Sequence, residues 1–365
     1  MQRQVMKQRA TLSINRAARR QLFWFAAGSV LISGALIAAT LAYLRTQAIN
    51  AGQRLTQSFA QVIEEQTTRT LQTIDQRLQL VMVGLKVLES EGRLTEASAR
   101  FLMSDDAWQM PFLRSITVLD KDGRAVYSSN AALLGLNASN RAYFQRARAA
   151  ASKSMFITDP IIGRSGKLWT INAVRPMPKI NGEFSGAIIA SIEPRYFDTA
   201  WQTVDIGEGG AITLFRDDGT LIMRSPFDDS TMGKVFQDSP MLGERLPPGS
   251  AKTIISSSAI DGKAQSIAYR TLSVWPDLLV AVGQSMDSML APWHRLAALA
   301  AGIWAIASVL LVSLCASLAR AWRQREVEEG RGLQTAERIA LATDAASIGV
   351  WDWDVISDTW FFSPT

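Results

Sequence analysis

Thiols and imidazoles are almost absent from this 365-residue chain, which contains one cysteine and one histidine. Cys315 lies inside a long apolar run, and His294 stands two residues before the same run. The chain therefore offers no disulfide, no thiolate metal site and no Ser-His or Cys-His catalytic pair outside that run. It also lacks a glycine-rich phosphate loop. We expect no catalytic site, no metal and no cofactor within these residues.

Two long runs contain no charged residue. Leu22–Leu44 spans 23 residues and Leu296–Ala319 spans 24. Each is long enough to cross a hydrocarbon core of about 30 Å as a helix. The first run is also longer than the apolar part of a signal peptide, which is about 7–15 residues. We therefore predict two transmembrane helices, at 22–44 and 296–319.

Acidic residues are missing from residues 1–21, which carry six basic residues. The positive-inside rule places this N-terminal tail in the cytoplasm. Residues 45–295 then lie in the periplasm or outside the cell, and the C-terminus returns to the cytoplasm of an inner-membrane protein. The net charge of +5 is concentrated in the tail, so we expect the lipid bilayer as a partner and no nucleic acid.

Residues 45–110 are predicted to be helical, with one long helix followed by a shorter one. Apolar residues recur at spacings of three and four, the pattern of a heptad stripe. The stripe comprises Leu71, Ile74, Leu78, Val81, Leu85 and Leu88. Two interpretations stay open, because the stripe either packs on the core of its own domain or forms the seam of a homodimer.

A strand pattern with an Asp-Gly turn occurs twice. SITVLDKDGRAVYSS (115–129) is followed 96 residues later by AITLFRDDGTLIMRS (211–225). GKLWTI (166–171) and GKAQSI (262–267) have the same offset, and ASI (190–192) precedes QSM (284–286) by 94 residues. Matching pieces in the same order predict a duplicated α+β domain, with modules at 111–200 and 201–290.

Several longer motifs resemble double Cache (PDC-type) sensor domains of bacterial signalling receptors. They are NRAYF (140–144), ITDPIIGRSGKLWTINAVRP (157–176) and GAIIASIEPRYF (186–197). The resemblance implies an α+β fold in which two transmembrane helices flank a long helix and two PAS-like antiparallel-sheet modules. It also implies a receptor that senses a small solute, and we expect a homodimer.

Beyond the second apolar run, residues 320–335 form a charged connector that we expect to be helical and broken at Gly330 and Gly332. Residues 336–365, with the hairpin pattern GVWDWDVISDTWFFSP, resemble the beginning of a PAS domain. Since a PAS domain needs about a hundred residues, we expect this one to be incomplete. PAS domains of this type occur in sensor histidine kinases and cyclic-di-GMP enzymes, so whether the full-length protein is an enzyme stays open.

The resemblance places a ligand pocket in the membrane-distal module. The R-x-Y-F motif supplies Arg141, Tyr143 and Phe144. Further candidate ligand-binding residues are Asp159, Trp169, Asn172, Arg175 and Ser191. Arg141 can pair with a ligand carboxylate or with a structural carbonyl or acid. For Tyr143, Phe144 and Trp169, packing in the core is the alternative to a ligand contact.

The sequence departs from the members of this family that bind amino acids. Those members have Trp-Tyr after the arginine and acidic residues that hold the ligand's ammonium group. Here Tyr143 and Phe144 form the aromatic pair, Ser191 replaces a late-strand aspartate and Gly163 an earlier one. A buried ammonium without a carboxylate partner is costly, so we expect a small carboxylate rather than an amino acid. A domain without a ligand, or one regulated by a partner protein, stays open.

These observations predict a membrane receptor that relays solute binding to a PAS-linked cytoplasmic output. One alternative is that the chain is the N-terminal part of a histidine kinase or of a diguanylate cyclase. The other alternative is a membrane scaffold without a signalling role.

Overall fold

The computed structural model divides the chain into two compact units, Arg45–Pro292 and the pair of segments Met1–Leu44 and Trp293–Thr365. Each unit is described by itself. The structure describes residues 2–104, 110–149, 154–163, 168–178, 183–237, 239–243, 246–258, 260, 262–345, 351–354 and 358–362.

The two terminal segments belong to long helices. Helix α1 is Gln2–Ser90, and helix α5 is Met286–Ala345. Both contain stretches long and apolar enough to cross a membrane. Within the terminal unit, the indole N–H of Trp304 donates to the Ser33 hydroxyl at 3.2 Å, and that of Trp293 donates to the Leu41 carbonyl at 2.8 Å. Tryptophan N–H groups thus join the two apolar stretches.

The connector after the second apolar stretch differs from the prediction. Helix α5 continues without interruption through Gly330 and Gly332 to Ala345, so the expected break is wrong. A helical glycine costs only about 1 kcal/mol relative to alanine, which the flanking helix formers can offset. The predicted hairpin is present as β12 (Trp351–Asp354) and β13 (Thr359–Phe362). Residues 346–350, 355–357 and 363–365 of the predicted PAS segment lie outside the described residues.

The first sheet of the central unit is antiparallel and has the order β2-β1-β6-β5-β3, with β4 also paired to β5. Its strands are β1 (Leu113–Leu119), β2 (Ala125–Ser128), β3 (Phe156–Ile157), β4 (Ile161–Ile162), β5 (Trp169–Pro176) and β6 (Ala187–Ile192). Helix α3 (Ala142–Ala149) and a short 3-10 helix (Ala131–Leu133) lie between β2 and β3.

The second sheet has the order β8-β7-β11-β10-β9 and follows helix α4 (Pro194–Trp201). Its strands are β7 (Ala211–Arg216), β8 (Leu221–Ser225), β9 (Ala251–Ser257), β10 (Ala264–Thr271) and β11 (Leu278–Ser285). In both sheets an opening hairpin pairs with the last strand of its module, which pairs with the strand before it. This shared topology confirms the predicted α+β fold of two antiparallel-sheet modules.

The heptad stripe of α1 packs on the core of its own domain. Leu71, Ile74, Leu78 and Val81 are completely buried, and Leu85 is 6% exposed. They belong to one cluster with core residues of both sheets. Full burial of such a side chain stabilises the fold by about 1.5–3 kcal/mol. The core interpretation of the stripe is therefore confirmed, and these residues are not available as a dimer seam. Helix α2 (Glu96–Met103) follows α1 and buries Ala99 and Met103.

Candidate ligand-binding site

A cavity of about 320 Å³ lies against the first sheet, on the side that carries α3. This volume falls in the usual range for small-molecule sites. Strands β1, β5 and β6 form its floor, while the segment before α3 and the segment around β4 form its walls. Its apolar lining consists of Leu119, Ala125, Leu133, Leu136, Ala138, Ile161, Leu168 and Ile189.

The segment that covers the cavity is held by a tight hairpin turn. Gly123 has a φ of +83°, and a Cβ added there would lie 2.7 Å from the Ser139 nitrogen. Only glycine fits this turn without displacing the backbone. The Ala138 amide donates to the Gly123 carbonyl at 2.7 Å, and the Arg141 amide donates to the Ala138 carbonyl at 2.9 Å. These bonds bring the start of α3 to the cavity.

Arg141 and Tyr143 both line the cavity from the beginning of α3. Each side chain is half-buried. Tyr143 also packs against the apolar cluster beneath the helix. No carboxylate among the described residues pairs with the Arg141 guanidinium. The Arg141 guanidinium therefore has no ion-pair partner among the described residues.

A second arginine at the cavity is already neutralised. Arg114 lies where the pairing of β1 with β6 shifts register between Leu113 and Ser115, and such bulges re-aim a side chain. The guanidinium makes a two-point contact with the Glu193 carboxylate, at 3.1 and 3.3 Å, and donates to the Thr170 hydroxyl at 3.2 Å. Each of its three nitrogens makes one contact within the protein, so Arg114 supports the cavity wall.

Polar groups on three neighbouring strands form one row of the cavity floor, which we call the polar row. Ser115 pairs in register with Ser191, and Ser191 pairs with Asn172. The Ser191 hydroxyl donates to the Asn172 amide oxygen at 3.0 Å. The Asn172 amide nitrogen and the Ser115 hydroxyl have no partner among the described residues. Their residues are 4% and 5% exposed, and both line the cavity.

The structure brings four of the sequence-derived candidates together. Arg141, Tyr143, Asn172 and Ser191 line the cavity. The set of described lining residues contains no aspartate or glutamate. Gly163 also lines the cavity. It stands at the position where the amino-acid-binding members of the resembled family have an aspartate.

The other four candidates lie elsewhere. Phe144 is completely buried in the apolar cluster beneath α3 and stacks edge-on against Phe184, with ring centroids 5.6 Å apart. Asp159 forms an ion pair with Arg216 of the second sheet. Arg175 points to the opposite face of the sheet and forms an ion pair with Asp75 of α1.

Trp169 is the fourth of these residues. It lines a separate cleft of about 80 Å³, together with Phe227 and Asp229 of the second module.

Sequence reasoning did not identify Arg114, Ser115, Thr117 or Asn130, although all four line the cavity. The alternation in the opening hairpin is a signal that was available for two of them. Ile116 faces the main core, so its neighbours Ser115 and Thr117 must face the other side of the strand. The position of Arg114 had no such signal, because it depends on the bulge in β1.

The matching face of the second module is nearly filled. Its cavity measures only about 30 Å³. Phe215, Met241, Ile267 and Tyr269 form a compact apolar cluster there. The space is about that of one or two water molecules, so the cavity of the first module is much the larger of the two.

Comparisons with known proteins agree with this architecture. The family model dCache_1_like, described as a histidine kinase sensor domain, matches residues 194–283. The extracellular domain of the candidate histidine kinase rpHK1S-Z16 is 28% identical, with a TM-score of 0.57. The match covers 67% of this chain and 99% of that domain. The second module thus matches the double Cache family model, and the fold of residues 45–292 is similar to that of an extracellular sensor domain.

Two chemoreceptor domains share the double Cache fold at lower identity. The periplasmic sensory domain of Campylobacter jejuni Tlp1 is 12% identical, with a TM-score of 0.54 over 67% of this chain and 99% of that one. The ligand-binding domain of Pseudomonas fluorescens CtaA, in complex with L-isoleucine, is 13% identical, with a TM-score of 0.52 over 68% and 98%. No curated protein matches the chain. The double Cache domain is thus of a kind found in signalling receptors.

Proposed function

We propose that the chain is the sensory part of an inner-membrane receptor that binds a small carboxylate in the cavity of its first module. The observation that carries this proposal is Arg141, which lines the cavity and has no carboxylate partner among the described residues. A ligand carboxylate would supply the missing charge and accept a two-point hydrogen bond. The adjacent apolar walls would hold a short carbon skeleton.

An amino acid fits this cavity less well than an acid without an amino group. The CtaA domain is described in complex with L-isoleucine, so amino acids are the natural comparison. An ammonium group brings three donors and a positive charge, and it needs acceptors when buried. The described lining contains no acidic residue. The oxygen of Asn172 already accepts a hydrogen bond from Ser191.

The signal would pass from the sensor to an output on the cytoplasmic side. A ligand can shift a receptor only by as much as it binds one state better than the other. In our proposal the distal module binds the ligand, and α1 and α5 carry the change through the bilayer in a homodimer. The output would be PAS-linked. The histidine kinase description of the matching family favours a kinase over a diguanylate cyclase.

A thermal-shift screen of the full chain in detergent tests the ligand class. Wild type, Arg141→Ala and the control Arg148→Ala would be exposed to small organic acids and amino acids. Arg148 is on the same helix but is exposed and bonded to the Lys121 carbonyl at 2.7 Å. A ligand at 100 times its Kd adds about 2.7 kcal/mol, which is several degrees in melting temperature.

We expect an acid to stabilise wild type and Arg148→Ala but not Arg141→Ala. An equal shift in all three proteins, or stabilisation by amino acids alone, would contradict the proposal. If no compound shifts wild type, a scaffold or a partner-regulated domain becomes the better account.

A further inference from the structure

The polar row assigns a second recognition point to the same cavity. Ser115, Ser191 and Asn172 occupy one register row on three adjacent strands. Ser115 and Asn172 are more than nine-tenths buried, and their polar side-chain groups have no partner among the described residues. Both residues open onto the cavity, and polar groups of such nearly buried residues are normally hydrogen-bonded. These groups therefore mark a position for a ligand group that forms hydrogen bonds.

The orientation of Asn172 is fixed by its neighbours. Its backbone amide donates to the Thr158 hydroxyl at 3.1 Å, and its carbonyl accepts from the Thr158 amide at 2.9 Å. Its side-chain oxygen accepts from Ser191 at 3.0 Å. The amide nitrogen, which carries two donors, is the part left for the cavity. The row therefore offers mainly donors, with the Ser115 hydroxyl able to donate or accept.

The row carries no formal charge, which limits the groups it can take. A second carboxylate would be desolvated here without a cation, since Arg114 is already neutralised by Glu193. An ammonium would bring a positive charge and three donors to a row whose remaining acceptors are uncharged hydroxyl oxygens. A neutral oxygen, as in a hydroxyl or a carbonyl, accepts from Asn172 and Ser115 without a charge penalty.

We propose that the ligand is a hydroxy or oxo monocarboxylic acid with a short aliphatic body, its neutral oxygen bound by the polar row. This inference rests on the proposed function, in which Arg141 binds the carboxylate. It adds a specificity that a simple carboxylate pocket would not have. The same cavity then binds the plain acid more weakly, because that acid leaves the row unpaired, and it also binds the amino acid more weakly.

Calorimetric titration of the full chain in detergent tests this proposal with four ligands that share one carbon skeleton and differ only in the group at carbon 2. The probes are isovalerate, 2-hydroxyisovalerate, 2-oxoisovalerate and L-valine. We expect the hydroxy or oxo acid to bind about tenfold more tightly than isovalerate, as two neutral hydrogen bonds would give. We expect L-valine to bind more weakly than isovalerate, because its ammonium has no acidic partner.

Variants of the row make the test specific. Ser115→Ala and Asn172→Ala should each reduce the preference for the oxygen-bearing acids, so that the ratio of the isovalerate Kd to the Kd of the hydroxy or oxo acid falls from about tenfold towards one. The control is Ser58→Ala, an exposed serine on α1 whose hydroxyl bonds to the Arg54 carbonyl. If Asn172→Ala does not fold, Ser115→Ala decides the question alone.

The outcomes separate the two claims. Equal binding of isovalerate and its hydroxy and oxo derivatives to wild type would overturn the role of the polar row, while the carboxylate pocket would stand. An unchanged preference in both Ser115→Ala and Asn172→Ala would also overturn it. Binding of L-valine alone, or of none of the four, would overturn the proposed function and this inference with it.

Discussion

Arg216 at the end of β7 forms an ion pair with Asp159 and donates to the Ile157 carbonyl at 2.9 Å. Arg216 belongs to the second module, and both of its partners belong to the first. The Arg216 side chain is 12% exposed, whereas that of Asp159 is 56% exposed. The acid expected from the sequence to contact a ligand therefore joins the two modules instead of lining the cavity.

Replacing Arg216 should destabilise the domain more than replacing Asp159. Asp159→Asn should lower the free energy of unfolding by about 1 kcal/mol or less, because the carboxylate is largely exposed. Arg216→Ala should cost about 1–3 kcal/mol, because it also loses the bond to Ile157 and its own packing. Chemical denaturation of the full chain measures both values. Equal costs, or loss of ligand affinity in Asp159→Asn, would contradict this account.

Replacing Arg175 should change the stability of the domain without changing its affinity for the ligand. Its side chain is 16% exposed and pairs with Asp75, which is 22% exposed. Arg175→Ala leaves the Asp75 carboxylate partly buried without its cation, and we expect a loss of about 1–3 kcal/mol. A double-mutant cycle with Asp75→Ala should show a coupling energy. Because Arg175 faces α1, ligand affinity should not change. A large rise in Kd would place Arg175 in the site after all.

The stripe on α1 predicts a contrast between neighbouring positions of one helix. Leu78→Ala should destabilise the domain by about 2–5 kcal/mol, because Leu78 is completely buried. Leu80→Ala is the matched control, since Leu80 is 51% exposed and its loss should cost at most about 0.5 kcal/mol. Thermal unfolding of the two variants measures the contrast. Similar losses at both positions would show that the outer face of α1 is also buried.

Asp218 predicts a small dependence of stability on pH. Burial alone would raise the pKa of this carboxyl. The hydrogen bonds from the Thr220 hydroxyl and amide, together with the nearby Arg216 charge, outweigh burial and hold the folded pKa below its usual value. Stability from a depressed pKa is present above the unfolded pKa and is lost as pH falls through the folded value. The advantage of wild type over Asp218→Asn should therefore shrink between about pH 5 and pH 3. An advantage that is constant or grows over this range would contradict the assignment.

Local spacing predicted the main elements of the architecture, and the family resemblance predicted how they combine. The apolar runs, the stripe from Leu71 to Leu85 and the repeated Asp-Gly hairpins each depend on local spacing, and each is found in the structure. The constant sequence offset between the two modules was a less reliable guide to which residues are equivalent. Ile171 and Ile267 were matched at 96 residues, but Ile171 packs in the main core and Ile267 in the small cluster on the other face. A shift of one residue reverses the face of a strand, and sequence similarity alone does not detect it.

The candidate site was only partly predictable for the same reason. The resemblance located Arg141, Tyr143, Asn172 and Ser191, which line the cavity. It could not separate them from Asp159 and Arg175, whose positions depend on partners distant in sequence. Asp75 is 100 residues from Arg175, and Arg216 is 57 residues from Asp159. Arg114 depends on a bulge and on Glu193, and neither is visible in local spacing.

The most direct test of the account is the Kd of one small acid for wild type, Arg141→Ala and Arg148→Ala, measured by calorimetry on the full chain. Loss of a charge-assisted hydrogen bond worth about 1.5–3 kcal/mol should raise the Kd of Arg141→Ala roughly 10- to 150-fold. The Kd of Arg148→Ala should stay within about twofold of wild type. An acid that binds wild type and Arg141→Ala with the same affinity would contradict the central claim that Arg141 holds the ligand.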